Sequence, residues 1–265
     1  MDFLRRELAP ISRQGWEEID AIARQTLSTN LSGRRIVDID GPHGIARACV
    51  PLGRLTVPKK QPGKVNFGIH QTMPLVETRV DFTLQTWELD NLERGAKDID
   101  LAPVAEACRE SAAFEEAAIF DGFEAGGMAG LHQAVKGKEL RLPLEVNAVV
   151  DAVAEARGRL LAEGVEGPAS LVVSPELCKF LSHGTQGGTL RGIIERHMGV
   201  PVIYSAAVKD ALMVAGRGGD LELTVGQDFA VGYHSHTASE IRLFVVESFA
   251  FRVIAPEALV GFKLV

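Results

Sequence analysis

The sequence predicts an α+β fold, in which helices and strands mix without the regular strand–helix–strand alternation of a doubly wound sheet. Three patterns support this prediction. An amphipathic helix and a long hairpin come first, an alanine-rich helical segment occupies the middle, and strand patterns dominate from Val200 onward. A chain of 265 residues that is 46% hydrophobic can bury a large core in one big domain or two smaller ones.

The first predicted element is a helix over residues 12–31. Its apolar side chains recur mostly at three- and four-residue steps, which is typical of a helix with one buried face. Ser12 is placed to cap the first turn, and Gly33 follows the last. The apolar positions are Trp16, Ile19, Ile22, Ala23, Leu27 and Leu31.

Residues 45–58 and 65–84 are predicted to form two long strands, joined by the polar tip KKQPGK. Such a hairpin has edges with unpaired backbone groups, which its own domain or another chain must cover. An ordinary hairpin within a sheet is the more common outcome, and the pattern leaves both open.

The alanine-rich run LAPVAEACRESAAFEEAAIFDGFEAGG predicts a long central helix that ends at Gly122 or Gly126. A further helix is predicted over residues 147–163, followed by the short buried strand ASLVVSP and a helix that begins within SPELCKFL. The strand patterns after Val200 include DLELTVG and IRLFVVESFAFRVI.

The composition narrows the classes of partner. A formal charge of −7, with no block of lysines and arginines, argues against a protein that binds nucleic acid through bulk electrostatics. No run of about 18 apolar residues is present, so we expect no membrane span. Cys49, Cys108 and Cys178 are few, odd in number and widely spaced, which fits reduced thiols of a cytoplasmic protein.

Signals for catalysis are weak. The sequence contains no P-loop, GxGxxG, GxSxG or HExxH motif, so we expect no enzyme of those classes. His234 and His236, with Glu240 nearby, could ligate a metal because alternate residues of a strand share a face. A solvent-facing segment is the favoured interpretation, since a closed metal site needs further ligands, and we predict no metal site.

The loop SHGTQGGT, residues 182–189, is small, polar and rich in glycine, and it lies between two predicted helices. In a monomer it would be a surface loop. Around a symmetry axis, its short side chains would leave an aqueous opening.

Trp87 stands in the short charged helix predicted within LQTWELDNLERG. A tryptophan there could belong to the core, contact another subunit, or act as a stacking platform.

Long phrases of this sequence resemble the encapsulin shell proteins, a family once labelled linocin-type bacteriocins. They include FLRRELAPIS, GRRIVDIDGPHG, FTLQTWELDNLERGAKDID, EGPASLVVSP and RGGDLELTVGQDFAVGY, and the resemblance extends over nearly the whole chain. It implies the tailed-phage major capsid protein fold, with a peripheral domain, an extended loop and an axial domain.

By this resemblance the chain divides into five segments. These are an N-terminal helix and the start of the peripheral domain (1–44), the extended loop (45–84), the peripheral domain with its spine helix (85–134), the axial domain (135–222), and the return strands with the C-terminal strand (223–265).

The resemblance also implies a function. Encapsulins assemble into icosahedral shells that take up cargo enzymes, such as a ferritin-like protein or a dye-decolourising peroxidase, through a short terminal targeting peptide. The positions that match the peptide-binding wall are Leu27, Leu31, Arg34, Asp38, Phe229 and Tyr233. In the alternative interpretation the two leucines are helix core and Arg34 pairs with Asp38.

By the same resemblance the loop around His183 lines a five-fold pore for small ions and substrates, through His183, Gly184, Thr185, Gln186 and Gly187. Some family members are similar to flavin binders at the position of Trp87, where the indole could stack on FMN and Arg79 could reach its phosphate. An intersubunit packing role for Trp87 is favoured, and we expect no required cofactor.

The partners implied are a homo-oligomer of 60 copies and a cargo protein, in the cytoplasm of a bacterium or archaeon. Sixty copies would carry a formal charge of −420, which suits protein cargo better than DNA. A viral capsid protein and, less favoured, a hydrolase or bacteriocin-type enzyme are the alternatives.

Overall fold

The computed structural model describes residues 3–60, 63–185 and 188–265. Seven α-helices are present in these ranges: α1 Arg13–Asn30, α2 Thr86–Glu93, α3 Ala102–Phe120, α4 Leu131–Val135, α5 Val146–Ala162, α6 Pro175–Leu181 and α7 Leu190–His197. The predicted N-terminal, central and 147–163 helices are confirmed as α1, α3 and α5.

The strands of the first half are β1 Asp38–Asp40, β2 Cys49–Thr56, β3 Ile69–Pro74, β4 Val76–Gln85, β5 Gly122–Phe123, β6 Met128–Ala129 and β7 Leu140–Leu142. Those of the second half are β8 Ala169–Val173, β9 Gly184–Thr185, β10 Gly188–Thr189, β11 Val202–Tyr204, β12 Ala211–Ala215, β13 Leu221–Val225, β14 Ala230–His236, β15 Glu240–Val253 and β16 Leu259–Leu264.

The first sheet is built around β15, the longest strand. β4 pairs antiparallel along one side of β15, from Glu240↔Gln85 to Phe249↔Val76. On the other side β15 pairs first with β14 and then with β13, and β1 adds in parallel to β13. Helices α1 and α3 cover the half of the sheet that contains β14, with Ile19 and Cys108 in the shared core.

The second sheet has the order β11, β8, β12, β16, β7. Helices α5, α6 and α7 pack on it through a cluster that includes Val153, Leu171 and Leu177. The C-terminal strand β16 therefore belongs to the same sheet as β7 and β8, although the sequence assigned it to the segment of return strands.

One prediction needs correction. Residues 65–84 were expected to form one strand of the long hairpin, but they form two strands that separate at Leu75. Only β3 pairs with β2, from Cys49↔Pro74 to Thr56↔Ile69. β4 instead joins the first sheet, because its apolar side chains Phe82 and Leu84 bury against the α1 and α3 core. The projecting arm thus ends at Pro74.

Candidate functional site

A pocket of about 400 Å³ lies between α1 and strand β14 of the first sheet. Four of the six residues predicted to bind a cargo peptide line it: Leu27, Leu31, Arg34 and Phe229. Its other lining residues are Arg6, Asp20, Ala23, Arg24, Ser28, Cys108, Asp228, Ala230, Val231 and Val245. The pocket therefore combines aliphatic walls with charged groups from α1 and from the chain before β14.

Local sequence explains how α1 presents these side chains. The Ser12 side chain accepts a hydrogen bond from the N–H of Gly15 and caps the helix. Ile19 and Ala23 face the core, and Leu27 lies on the same stripe one turn further on. Leu27 is only half-buried, so the apolar stripe of α1 extends beyond the core and forms part of the pocket wall.

The chain turns sharply after α1, and Gly33 makes this turn possible. A side chain at Gly33 would meet Ile119 at 2.8 Å and the Glu116 carboxylate at 3.0 Å, so only glycine fits against α3 here. The Gly33 N–H donates to Glu116 Oε1 at 2.7 Å, and the Ser32 hydroxyl donates to Glu116 Oε2. These bonds fix the position from which Arg34 reaches into the pocket.

Arg34 forms the charged floor. Its guanidinium contacts Glu115 at 2.7 Å, Glu247 at 2.5 Å and Asp228 at 2.9 Å. It also lies over the Phe229 ring, with 4.9 Å from the guanidinium carbon to the ring centroid. One cation thus joins α3, β15 and the segment before β14, so removing it would leave buried carboxylates uncompensated.

Glu115 and Glu247 are fully buried, and Glu247 Oε2 has no hydrogen-bond partner within the described part of the chain. Burial, followed by the negative charge of Glu115, raises the pKa of Glu247 well above its ordinary value. Protonation of Glu247 would remove the repulsion between these two buried carboxyls, which share Arg34 as their cation.

Two predicted cargo residues lie away from the pocket. The Asp38 carboxylate accepts the N–H of Gly219 at 2.6 Å, in a smaller cavity between the two sheets. The Tyr233 side chain is buried in the core, and its hydroxyl contacts His236 Nδ1. The alternative in which Arg34 pairs with Asp38 is wrong, because the acidic partners of Arg34 are Glu115, Glu247 and Asp228.

Several pocket residues were missed by sequence analysis. Arg6 pairs with Asp20 at 2.8 Å and stacks over Trp16, which brings the N-terminal segment to the rim. Glu115 and Glu247 do not line the pocket but lie buried beneath its floor, where they hold Arg34. The sequence carries a signal for them, since each carboxylate lies within a mostly apolar stretch, AAFEEAAIF for Glu115 and LFVVESFAF for Glu247, and buried charges need a partner.

The loop predicted to line a pore lies between α6 and α7, as expected. The backbones of Gly184 and Thr185 pair antiparallel with those of Gly188 and Thr189, while Gln186 and Gly187 lie outside the described residues. His183 is exposed and its Nδ1 lies 2.9 Å from the Phe180 carbonyl oxygen.

Trp87 is 65% exposed on α2, and Arg94 lies over its ring at 5.5 Å. Arg79 does not reach it. The Arg79 guanidinium is held between the rings of Phe3 and Phe244, at 5.3 Å and 4.2 Å, and six residues of strand β4 separate it from α2. Arg79 thus packs on aromatic rings of the first sheet, and the flavin site that the family resemblance implied at Trp87 stays a prediction.

The arm of β2 and β3 carries a row of exposed apolar side chains. They are Leu55, Val57, Val65, Phe67 and Ile69, each 42–69% exposed. Among the described residues no helix is long and apolar enough to cross a membrane, and no group of three potential metal ligands is present.

Comparisons with known proteins place the chain in a family. The sequence model of the family described as encapsulating protein for peroxidase matches residues 1–250. The type 1 encapsulin shell protein of Rhodospirillum rubrum is 38% identical over 99% of this chain and 97% of its own length. That of Rhodococcus erythropolis is 35% identical over 98% of this chain and 99% of its own length.

Solved structures show the same fold. A virus-like particle protein from Pyrococcus furiosus aligns with a TM-score of 0.63 at 14% identity, covering 93% of this chain and 98% of its own. The capsid protein of Mycobacterium phage Bobi aligns with a TM-score of 0.57 at 14% identity, covering 89% and 91%. The predicted tailed-phage capsid fold is confirmed, and the chain belongs to the encapsulin family of shell proteins, whose members are structural rather than catalytic.

Proposed function

We propose that 60 copies of this chain assemble into a closed icosahedral shell in the cytoplasm, and that the shell takes up a cargo enzyme by binding its short terminal peptide. The observation that carries the proposal is the arm of β2 and β3. Its exposed apolar side chains and its unpaired strand edges make a two-stranded arm unfavourable in an isolated monomer.

Contact with neighbouring subunits would cover the exposed apolar side chains and strand edges of the arm. An arm that packs on the next copy buries its apolar row, and a closed shell repeats that contact without leaving a free surface for fibre growth. Trp87 on α2 is a second exposed aromatic suited to a subunit contact, since tryptophan is enriched at buried interface centres.

The pocket between α1 and β14 is the proposed cargo site. Leu27 and Leu31 offer aliphatic contacts to the peptide, while Arg34 and Phe229 close the floor. The description of the family as an encapsulating protein for peroxidase favours a peroxidase as the cargo, with a ferritin-like protein as the other candidate. Weak binding of each single peptide is enough to load the cargo, because an oligomeric cargo engages several pockets of one shell at once.

The turn that follows His183 is the proposed lining of the five-fold pore. Its glycines and short polar side chains would leave a wet opening once five copies surround an axis. Ions and small substrates would reach the cargo through it.

The test is size-exclusion chromatography with light scattering on the chain expressed alone, followed by negative-stain imaging. Hollow, uniform particles of megadalton mass are expected. A stable monomer or dimer would mean that the arm is not an assembly surface, and the proposal would fail.

A further inference from the structure

Strand β14 forms one edge of the first sheet, and part of that edge is already occupied. The N–H of Tyr233 donates to the carbonyl oxygen of Leu4 at 2.8 Å, on the side of the strand that faces away from β15. The N-terminal segment thus behaves as a short partner for this half of the strand.

The remaining half of the edge opens into the pocket. In an antiparallel pair successive residues direct their backbone groups to opposite sides, so Val231 presents its N–H and C=O to the same edge as Tyr233. The register is unbroken from Ala230↔Val246 to Tyr233↔Leu243, and the irregularity comes only after Tyr233. Val231 itself lines the pocket.

These two groups require a partner. Val231 is 4% exposed, and buried backbone groups in native proteins are almost always paired. Within the described part of the chain, no backbone or side-chain group on the edge side of β14 pairs with Val231. The pocket therefore offers one main-chain donor and one main-chain acceptor beside its aliphatic wall.

Arg24 adds a charge preference. It is exposed on α1, lines the same pocket and makes no ion pair with any described residue. The other two pocket arginines are already neutralised, since Arg6 pairs with Asp20 and Arg34 with three carboxylates. The unpaired cation of the pocket is thus at Arg24, and its ligand would be a carboxylate.

We propose that the bound peptide adds to β14 as an extended strand, pairs its main chain with Val231, and places an acidic side chain against Arg24. This rests on the proposed function of the pocket as the cargo site. A helical peptide would not serve, because its mid-helix N–H and C=O groups are bonded internally and leave Val231 unpaired. Strand addition draws affinity from the main chain and specificity from alternate side chains.

The experiment uses the full chain and a fluorescent protein that ends in a random octapeptide. The two are co-expressed, shells are purified, and the peptides carried inside are sequenced by mass spectrometry and compared with the input. We expect aspartate or glutamate to be enriched at least threefold at one position. Proline should be depleted at every second position, because a strand directs only alternate N–H groups to its partner.

Two variants test the role of Arg24. In Arg24→Glu shells the acidic preference should give way to lysine or arginine, and in Arg24→Gln shells it should disappear without a basic preference replacing it. Arg13→Glu, an exposed change on the same helix outside the pocket, is the control and should retain the acidic preference.

The outcomes separate this inference from the function on which it rests. Shells that load peptides with no sequence preference would show that the pocket is not the cargo site. Enrichment of aliphatic residues in the loaded peptides would support the pocket as the cargo site. If proline were then not depleted at alternate positions, strand addition would be overturned. If the acidic preference survived in Arg24→Gln shells, the acidic contact with Arg24 would be overturned.

Discussion

Arg34 is the residue on which the pocket depends. Its guanidinium ties the end of α1 to α3 and to β15 through Glu115 and Glu247, both fully buried. Burial raises the pKa of Glu247 well above its ordinary value, so protonation of this carboxyl can relieve the crowding of two buried acids beside one arginine. The floor of the pocket is therefore coupled to pH.

The first prediction concerns Glu247→Gln. The folded chain holds a proton at Glu247 that the unfolded chain releases above about pH 4.3. The free energy of unfolding therefore falls as the pH rises from there through the folded-state pKa, by at most about 1.4 kcal/mol per pH unit from this group. Glutamine does not titrate, so the variant should lose this part of the slope.

The measurement is thermal unfolding of shells between pH 5 and pH 9 at a fixed protein concentration. As the pH rises, the melting temperature of the parent should fall relative to that of Glu247→Gln. Glu18→Gln, an exposed change on α1, should follow the parent. Parallel curves for the parent and Glu247→Gln would show that Glu247 does not hold the proton.

The second prediction concerns Leu27, the half-buried leucine of the pocket wall. Leu27→Asp places a carboxylate where an aliphatic contact is proposed, so co-purification of a cargo carrying its targeting peptide should fall at least tenfold while shells still form. Gln25→Asp adds the same charge to an exposed site of α1 and should load normally. Loading by Leu27→Asp at the parent level would remove Leu27 from the site.

Among the elements, the β2–β3 arm differs most from its surroundings. Within the described residues its two strands pair only with each other, and the apolar side chains toward its tip, Leu55 and Ile69 among them, face solvent in the single chain. Strand β4, the continuation of the same segment, is instead paired with β15 along its whole length. The arm and the sheet thus have separate roles, contact between subunits and support of the pocket.

The third prediction addresses the arm. Ile69 is 62% exposed, and Ile69→Lys should prevent assembly, because burying an unpaired ammonium group against a neighbour is costly. Light scattering should then report species far below megadalton mass with unchanged circular dichroism. Ile69→Leu keeps the apolar surface and should assemble. Normal shells from Ile69→Lys would exclude this strand from the contact.

Helix α2 carries the fourth prediction. If Trp87 packs against another subunit, purified shells should be colourless, and Trp87→Ala should lower their melting temperature by several degrees. The matched control is Arg94→Ala, which removes the cation above the ring and leaves the indole. Visible absorbance in the flavin band, lost in Trp87→Ala, would instead assign Trp87 to a flavin site.

At the scale of the whole molecule, the same fold serves phage capsids and encapsulins, so the fold alone does not identify the content of a shell. The charge of the chain is informative here. With −7 on each copy, an assembled shell repels polyphosphate unless a strongly basic lumen compensates.

The fifth prediction follows from this charge. Shells purified after nuclease treatment should absorb ultraviolet light as protein does, more strongly at 280 nm than at 260 nm, and extraction should yield no protected nucleic acid. The absorbance spectrum of cargo-free shells serves as the reference for the spectrum of shells loaded with cargo. Protected DNA of uniform length would favour the viral capsid function.

Contiguous stretches of the chain were enough to predict its local elements and its family. Helical periodicity located α1, α3 and α5, and the long shared phrases identified the encapsulin family, because both are encoded in contiguous residues. The family resemblance grouped Leu27, Leu31, Arg34 and Phe229, which line one pocket, with Asp38 and Tyr233, which do not.

Which distant residues meet depends on how the whole chain packs. Arg34 and Glu247 are 213 positions apart, and no local pattern specifies that pairing over the nearer Asp38. The departure of β4 from the arm was likewise decided by burial of Phe82 and Leu84 on a core built from α1 and α3. Strand pairing and buried charge depend on contacts between segments far apart in the chain, so their partners emerge only when the whole chain packs.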